Sequence, residues 1–241
     1  MTDLQPGQEV QKAKDERDIS GSLITALDPT DVASEAYRRL RTNLLYALVD
    51  SPPKVIMVTS PGSAEGKTTV CANLGVVLAQ TGKNVLIMDC DLRRPKMHEI
   101  FGLSSTGGLV DALMGDLSLQ EAYQEPLEDS NLKVLTVGDL PPNPAEFVNS
   151  RRFSDFLATI QEEFDYVLVD SSPTGLVADP LILATQVDGV LLTLDARKTR
   201  RGEVRRAMRG LTTVGAHVLG TVMNSVIGSR NDYYQGNPYF G

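Results

Sequence analysis

Apolar runs alternate with amphipathic stretches along most of the chain. Six runs have the length of β-strands: Val55–Val58, Val85–Met88, Val134–Val137, Tyr166–Val169, Val190–Leu194 and Val218–Met223. Most are continuous rather than alternating, which is typical of strands covered on both faces. The stretches between them have helical character: Lys67–Gln80, Gly108–Met114, Arg151–Phe164, Pro180–Thr185 and Gly202–Val214. This order predicts an α/β fold with a mostly parallel sheet and helices on both faces.

The two ends of the chain depart from this pattern. Residues 1–29 hold few large apolar side chains, so we expect a flexible N-terminal arm. A helix is predicted to follow, with Thr30 or Asp31 as its cap. Residues 226–241 are polar and rich in glycine, which predicts a mobile C-terminal tail. The folded domain is therefore expected to span residues 30–225.

Composition narrows the class of protein. The chain has 241 residues, a length that suits one α/β domain with tails. A net charge of −8 and a pI near 4.8 disfavour a protein that coats nucleic acid, so we expect no nucleic-acid partner. Two cysteines and two histidines form neither a disulfide framework nor a metal pattern. The apolar runs are too short to span a bilayer and no signal core precedes them, which predicts a cytoplasmic protein.

The strongest local motif follows the first strand, where residues 59–69 read TSPGSAEGKTT. A strand, a loop of small residues, Gly-Lys-Thr and then a helix are the context of a P-loop, whose backbone N–H groups surround a polyphosphate. Pro61 replaces the first glycine of the motif, which leaves Gly62 to form the tight turn. The predicted nucleotide-binding residues are Gly62, Ser63, Ala64, Glu65, Gly66, Lys67, Thr68 and Thr69.

Carboxylates follow two of the predicted strands. Asp89 and Asp91 end the second strand, and Asp170 ends the strand Tyr166–Val169. The carboxyl ends of parallel strands are where such sheets bind ligands. Together with the Thr68 hydroxyl, these oxygens predict a Mg²⁺ site beside the phosphates. Lys67 is predicted to contact the β- and γ-phosphates of a nucleotide.

Several motifs together resemble the bacterial tyrosine kinases of capsular and exopolysaccharide synthesis (BY-kinases), in particular the cytoplasmic form without membrane segments of its own. The helix EAYRRLRTNL at residues 35–44 resembles the E-x-x-R-x-x-R element of the family. DCDLRRP at residues 89–95 resembles its Walker A′ element. GGLVDALMG at residues 107–115 and PPNPAEF at residues 141–147 are similar to two further stretches. The resemblance covers residues 30–225.

The resemblance implies a role for each matching residue. Lys67 and the loop would hold ATP, and Thr68, Asp91 and Asp170 would organise Mg²⁺. Lys67, Asp89 and Asp91 would form the catalytic group, with Asp89 close to the acceptor hydroxyl. Asn224, at the end of the last strand, matches the position that contacts the adenine base in related ATPases.

The resemblance also implies an assembly and partners. Glu35, Arg38 and Arg41 would join subunits into a ring. The acceptors would be tail tyrosines of a neighbouring subunit: Tyr233, Tyr234 and Tyr239. A transmembrane polysaccharide co-polymerase would act as adaptor, activating the kinase and recruiting it to the inner face of the membrane. A tyrosine phosphatase would reverse the modification.

The motifs leave three functions open. The first is an ATP-dependent tyrosine autokinase that regulates polysaccharide polymerisation and export. The second is a MinD/ParA-type positioning ATPase, although Gly62 stands where those proteins carry a second lysine. The third is a module that binds nucleotide without phosphoryl transfer. A separate basic segment, residues 197–209, predicts either a solvated helix face or a docking site for an anionic partner.

Overall fold

The structure is a computed structural model that describes residues 19–46, 52–128 and 130–226. Its strands are β1 Val55–Thr59, β2 Val85–Cys90, β3 Leu132–Leu135, β4 Tyr166–Ser171, β5 Gly189–Asp195 and β6 Val218–Asn224. The helices of these residues are α1 Ile24–Leu27, α2 Val32–Tyr46, α3 Lys67–Ala79, α4 Met97–Phe101, α5 Leu109–Met114, α6 Leu119–Ala122, α7 Pro144–Val148, α8 Arg151–Glu163, α9 Asp179–Leu183 and α10 Arg201–Thr213.

The strands form one parallel sheet in the order β3-β2-β4-β1-β5-β6. The predicted α/β class is therefore confirmed. β4 lies between β1 and β2, and its Asp170 is in register with Val58 on one side and Asp89 on the other. The carboxyl ends of β1, β2 and β4 are thus neighbours, which brings the P-loop and the predicted acids to one edge of the sheet.

An apolar layer covers each face of the sheet. Helices α1 to α4 pack on one face and α5 to α10 on the other. Helix α3 is buried along almost its whole length because it lies between the sheet and α2. Burial on both sides explains why the strands and α3 are apolar without a clear period. Among the described residues, no helix is both long enough and apolar enough to cross a membrane.

The described part of the predicted N-terminal arm differs from the prediction. Residues 19–29 pack on the domain: Leu23 is fully buried, and Ser20 N donates to Ile100 O at 3.0 Å. The side chain of Asn73, on α3, holds this segment. Its Oδ1 accepts hydrogen bonds from Thr25 N (3.0 Å) and Thr25 Oγ1 (2.9 Å), and its Nδ2 donates to Ser22 O (2.9 Å).

The sequence pattern missed this attachment because it consists of polar contacts and of few apolar side chains, Leu23 and the partly buried Ile19 and Ala26. Residues 1–18 lie outside the described residues. The helix that follows begins as predicted, since Asp31 Oδ1 accepts a hydrogen bond from Ala33 N at 2.7 Å.

The predicted secondary structure differs from the structure in two further respects. β3 ends at Leu135 rather than Val137, because the carbonyl oxygens of Thr136 and Val137 accept hydrogen bonds from Leu109 and Val110 at the start of α5. The short helices α1, α4, α6 and α7 were not predicted. Each has only four or five residues, too few to show a helical period.

Replacement of Asn73 should weaken the attachment of residues 19–29. We expect Asn73→Ala to lower the free energy of unfolding by about 1–3 kcal/mol, because it leaves buried polar groups of Thr25 without partners. Chemical denaturation measures this change. The control is Asn43→Ala, which removes an exposed asparagine from α2. Equal stability of the two variants would contradict the proposed role of Asn73.

Candidate active site

The P-loop connects β1 to α3 through residues 60–66. Its left-handed residues are Ala64 (φ 55°) and Gly66 (φ 88°). Gly62 has no positive φ and a Cβ there would meet nothing closer than 3.6 Å, so the structure does not require a glycine at this position. Alternation of right- and left-handed residues makes a concave backbone that can bind anions.

A side chain at Gly66 would be strained by the positive φ and would displace Asn224. A Cβ at Gly66 would lie 1.9 Å from Asn224 Nδ2, which donates a hydrogen bond to Glu65 O at 3.1 Å. The structure therefore brings Asn224, predicted to contact the adenine base, against the loop predicted to bind the phosphates. β6 ends beside β5 and carries Asn224 to this position.

Lys67, the first residue of α3, forms the centre of a buried charge cluster. Its Nζ lies 2.8 Å from Asp91 Oδ2 and 3.4 Å from Asp170 Oδ2, and donates to Thr68 Oγ1 at 3.0 Å. Burial acts to lower the pKa of Lys67, but the carboxylates of Asp170 and Asp91 outweigh it and raise the pKa. Lys67 is therefore protonated at neutral pH. The structure thus brings four predicted site residues together: Lys67, Thr68, Asp91 and Asp170.

Asp91 is oriented by a residue that sequence analysis missed. Ser172 Oγ donates a hydrogen bond to Asp91 Oδ1 at 2.7 Å, while Asp91 Oδ2 faces Lys67. Ser172 stands two residues after Asp170, where a serine in the Asp-Ser-Ser-Pro end of the strand was the available signal. Both oxygens of Asp91 are therefore placed by contacts from α3 and from the end of β4.

Asp89 has a different environment. Its carboxylate is fully buried and accepts hydrogen bonds from the backbone N–H groups of Asp91 (3.0 Å), Lys96 (3.2 Å) and Met97 (3.1 Å). Asp89 thus orients the segment that carries Asp91. Burial, followed by the adjacent Asp170 carboxylate, raises the pKa of Asp89 to about 7. Contact of Asp89 with an acceptor hydroxyl stays a prediction.

The oxygen groups fit a Mg²⁺ ion bound together with a nucleotide. Burial raises the pKa of Asp170, and the Lys67 ammonium acts against this shift. Among the described residues, no three His, Cys, Asp or Glu side chains are arranged to hold a metal alone. Mg²⁺ in nucleotide sites is usually bound by one or two carboxylates, a hydroxyl and the phosphates themselves. Thr68, Asp91 and Asp170 supply groups of this kind.

The predicted interface residues lie on α2 and make contacts within the chain. Arg38 Nε lies 2.9 Å from Glu35 Oε2, and Arg38 Nη2 donates to Pro29 O at 2.8 Å. Arg41 Nη1 donates to Val77 O of α3 at 2.8 Å. The predicted acceptors, Tyr233, Tyr234 and Tyr239, lie outside the described residues.

The fold and the site define a P-loop NTPase of the ParA class. The profile of the family described as "ParA: NUBPL iron-transfer P-loop NTPase" matches residues 51–240. Among curated relatives, tyrosine-protein kinase YwqD of Bacillus subtilis is 38% identical over 88% of this chain and 90% of its own. Putative tyrosine-protein kinase CapB of Staphylococcus aureus is 34% identical over 88% of this chain and 92% of its own. Tyrosine-protein kinase wzc of Salmonella typhi is 35% identical over 98% of this chain, which spans 34% of that protein.

Solved structures lead to the same class. The chimerical protein CapA2B2 superposes with a TM-score of 0.83 at 32% identity, covering 87% of this chain and 92% of that one. The cell division ATPase MinD of Pyrococcus furiosus shares the fold with a TM-score of 0.59 at 26% identity, covering 70% of this chain and 71% of its own. The chain belongs to the bacterial protein-tyrosine kinases. This confirms the resemblance and favours it over the positioning-ATPase alternative.

Replacement of Gly66 should disrupt nucleotide binding. We expect Gly66→Ala to lower the affinity for ADP about tenfold or more, because it combines left-handed strain of about 1–3 kcal/mol with displacement of Asn224. The control is Gly82→Ala: Gly82 has φ +82°, but no atom lies within 4 Å of its Cβ position. Titration with a fluorescent ADP analogue measures both variants. Equal affinity in the two would show that the Asn224 contact is unimportant.

Proposed function

We propose that the chain binds ATP and Mg²⁺ at this site and transfers the γ-phosphoryl group to tyrosines of the C-terminal tail of a second copy. The observation that supports this most is the convergence of Lys67, Asp91 and Asp170 beside the P-loop. In a kinase the lysine neutralises the β- and γ-phosphates and the carboxylates hold the metal. These are the residues and positions that phosphoryl transfer requires.

The loop and Asn224 bind the nucleotide in this proposal. Backbone N–H groups of residues 63–69 surround the phosphates. Asn224, whose side chain donates a hydrogen bond to Glu65 O, contacts the adenine base. Thr68, Asp91 and Asp170 would hold Mg²⁺. When bound, Mg²⁺ neutralises charge that develops on the phosphate oxygens. Lys67 remains charged throughout because its pKa is raised.

The transfer is a displacement at phosphorus. The phenolic oxygen of the acceptor forms a bond to the γ-phosphorus while the bond to the β–γ bridging oxygen breaks and ADP leaves with its electron pair. The phenolic proton passes to a carboxylate of the Asp89–Asp91 segment. This assignment rests on the family resemblance, and it requires that Asp89 or Asp91 come within hydrogen-bond reach of the phenol.

The proposed acceptors are Tyr233, Tyr234 and Tyr239, which are three of the seven tyrosines of the chain. Their segment, RNDYYQGNPYFG, contains glycine, asparagine and proline, which disfavour helix and strand and leave a tyrosine hydroxyl accessible. β6 is the strand at one edge of the sheet, and β3 and β2 lie at the other edge. In this proposal the tail that follows β6 is phosphorylated at the site of a neighbouring copy, as the family resemblance implies.

The first test combines loss of the lysine with transfer between copies. We expect Lys67→Met to form no detectable phosphotyrosine when incubated alone with ATP and Mg²⁺, because the charge at the phosphates is lost. Mixed with an active chain that lacks residues 231–241, the Lys67→Met chain should be phosphorylated on its tail. Phosphotyrosine blotting after separation by size measures this.

The control for this test is Lys83→Met, which removes an exposed lysine from a surface pair with Asp165. It should retain wild-type activity. Circular dichroism verifies that the Lys67→Met chain is folded. Undiminished phosphotyrosine in Lys67→Met alone would contradict the proposed site, and an unmodified inactive chain in the mixture would contradict transfer between copies.

We also propose that the kinase regulates capsular or exopolysaccharide polymerisation and export together with a transmembrane co-polymerase. The adaptor would recruit it to the cytoplasmic face of the membrane, and a tyrosine phosphatase would reset it. One comparison supports a pairing of this kind: the wzc protein is about three times as long as the region that this chain matches, so it contains further segments beside that region.

Helix α2 is the proposed contact between subunits in a ring. Single charge reversals would also break contacts within the chain, since Arg41 binds Val77 O. The double variant Glu35→Arg with Arg38→Glu leaves Arg41 in place, retains an oppositely charged i, i+3 pair and reverses the charges presented to a partner, at the loss of the exposed hydrogen bond from Arg38 to Pro29 O. We expect it to be monomeric under conditions in which the wild type is oligomeric, as measured by light scattering. An unchanged mass would contradict this interface.

A further inference from the structure

Two residues of the segment that follows β5, Lys198 and Thr199, contact the P-loop. Lys198 Nζ donates hydrogen bonds to the carbonyl oxygens of Ser63 (3.0 Å) and Ala64 (2.6 Å). Asn224 Nδ2 donates a hydrogen bond to the next carbonyl oxygen of the loop, that of Glu65, at 3.1 Å. Three consecutive carbonyl groups of the loop are therefore held by side chains from the ends of β5 and β6.

These contacts determine the direction of the loop N–H groups. In a trans peptide, the C=O of one residue and the N–H of the next point in opposite directions. Because the carbonyls of residues 63–65 point towards Lys198 and Asn224, the N–H groups of residues 64–66 point to the other side of the loop. In the described part of the chain, these three N–H groups donate to no protein acceptor. They are therefore available to an anion.

Thr199 holds the same loop through the Glu65 side chain. Its hydroxyl donates a hydrogen bond to Glu65 Oε1 and accepts one from Asp195 N at 2.8 Å. The other oxygen, Glu65 Oε2, accepts from Gly62 N at 2.8 Å. Glu65 is only 3% exposed, so its carboxylate depends on these partners. This chain of bonds connects the end of β5 to the turn where Pro61 replaces the first glycine of the motif.

We propose that Lys198 and Thr199 are positioning residues that keep the P-loop in its phosphate-binding shape from the outer side. The inference rests on the proposed function, in which this loop binds ATP. Neither residue touches the reacting atoms: Lys198 acts through the N–H groups of residues 64–66, and Thr199 through Glu65 and Gly62. The positioning role distinguishes Lys198 from the arginines of segment 197–209, which are exposed on and before α10.

A preformed loop should contribute mainly to the affinity for ATP and little to the rate of phosphoryl transfer. The N–H groups contact the phosphates both before and during transfer, so the loss of their orientation weakens ground state and transition state alike. Such a change raises KM and leaves kcat nearly unchanged. A residue that acts on the reacting atoms would lower kcat instead, as expected for Lys67. The ratio of the two effects therefore distinguishes positioning from catalysis.

The test compares Lys198→Met, Thr199→Val and Thr199→Ser with the full-length wild type. We expect KM for ATP to rise about tenfold in Lys198→Met and Thr199→Val, the scale of one lost hydrogen bond to a charged group, with kcat within about twofold. Thr199→Ser keeps the hydroxyl and should be close to wild type. The matched control is Arg201→Met, which removes an exposed cation three residues after Lys198.

Each outcome decides between explanations. Unchanged KM in Lys198→Met and Thr199→Val, with an active wild type, overturns the positioning role and leaves the proposed function intact. An equal rise of KM in Arg201→Met indicates a general charge effect and also overturns it, as does a Thr199→Ser variant as impaired as Thr199→Val. A wild type that neither binds ATP nor forms phosphotyrosine contradicts the proposed function itself. Melting temperatures without nucleotide identify any variant that has lost its fold.

Discussion

A lysine ammonium buried between carboxylates from two strands is the interaction on which the site depends. An unpaired charge at this depth would be strongly unfavourable, whereas Lys67 lies 2.8 Å from Asp91 and 3.4 Å from Asp170. The arrangement requires that α3 begin at the carboxyl end of β1 and that β2 and β4 end beside it. The strand order, with β4 between β1 and β2, meets this requirement. The sheet topology and the charge cluster therefore support each other.

The same cluster contains more negative than positive charge. Burial raises the pKa values of Asp89 and Asp170, which stand in register on neighbouring strands. Cations relieve this excess, and Lys67 already supplies one. A nucleotide with its Mg²⁺ would bring a second cation and would compete with the carboxylates for Lys67. The acidic end of the sheet is thus suited to exchange one set of ionic contacts for another, which is the electrostatic requirement of phosphoryl transfer.

Helix α3 connects the site to the helix proposed to contact other subunits. It begins at Lys67, and farther along its Asn73 holds residues 22–25 while its Val77 carbonyl accepts a hydrogen bond from Arg41 of α2. Residues 19–46 therefore pack directly on the helix that carries the P-loop lysine. In a ring built through α2, contacts between subunits would be transmitted to α3 through one layer of side chains.

The sequence alone determined the fold class, the P-loop, the three acids and the family, because each depends on local patterns: apolar runs, a glycine-lysine-threonine motif after a strand, and aspartates at strand ends. It did not determine which residues orient those groups. The packing of residues 19–29 by Asn73, the hydrogen bond from Ser172 to Asp91, and the contacts of Lys198 and Thr199 with the P-loop join residues that are between 48 and 135 positions apart. The left-handed residue Ala64 was missed for the same reason. The carbonyl groups of residues 63–65 are held by Lys198, which follows β5, and by Asn224 of β6. Such contacts leave no period in the sequence, and only the parallel sheet, which gathers the ends of distant strands at one edge, brings them together.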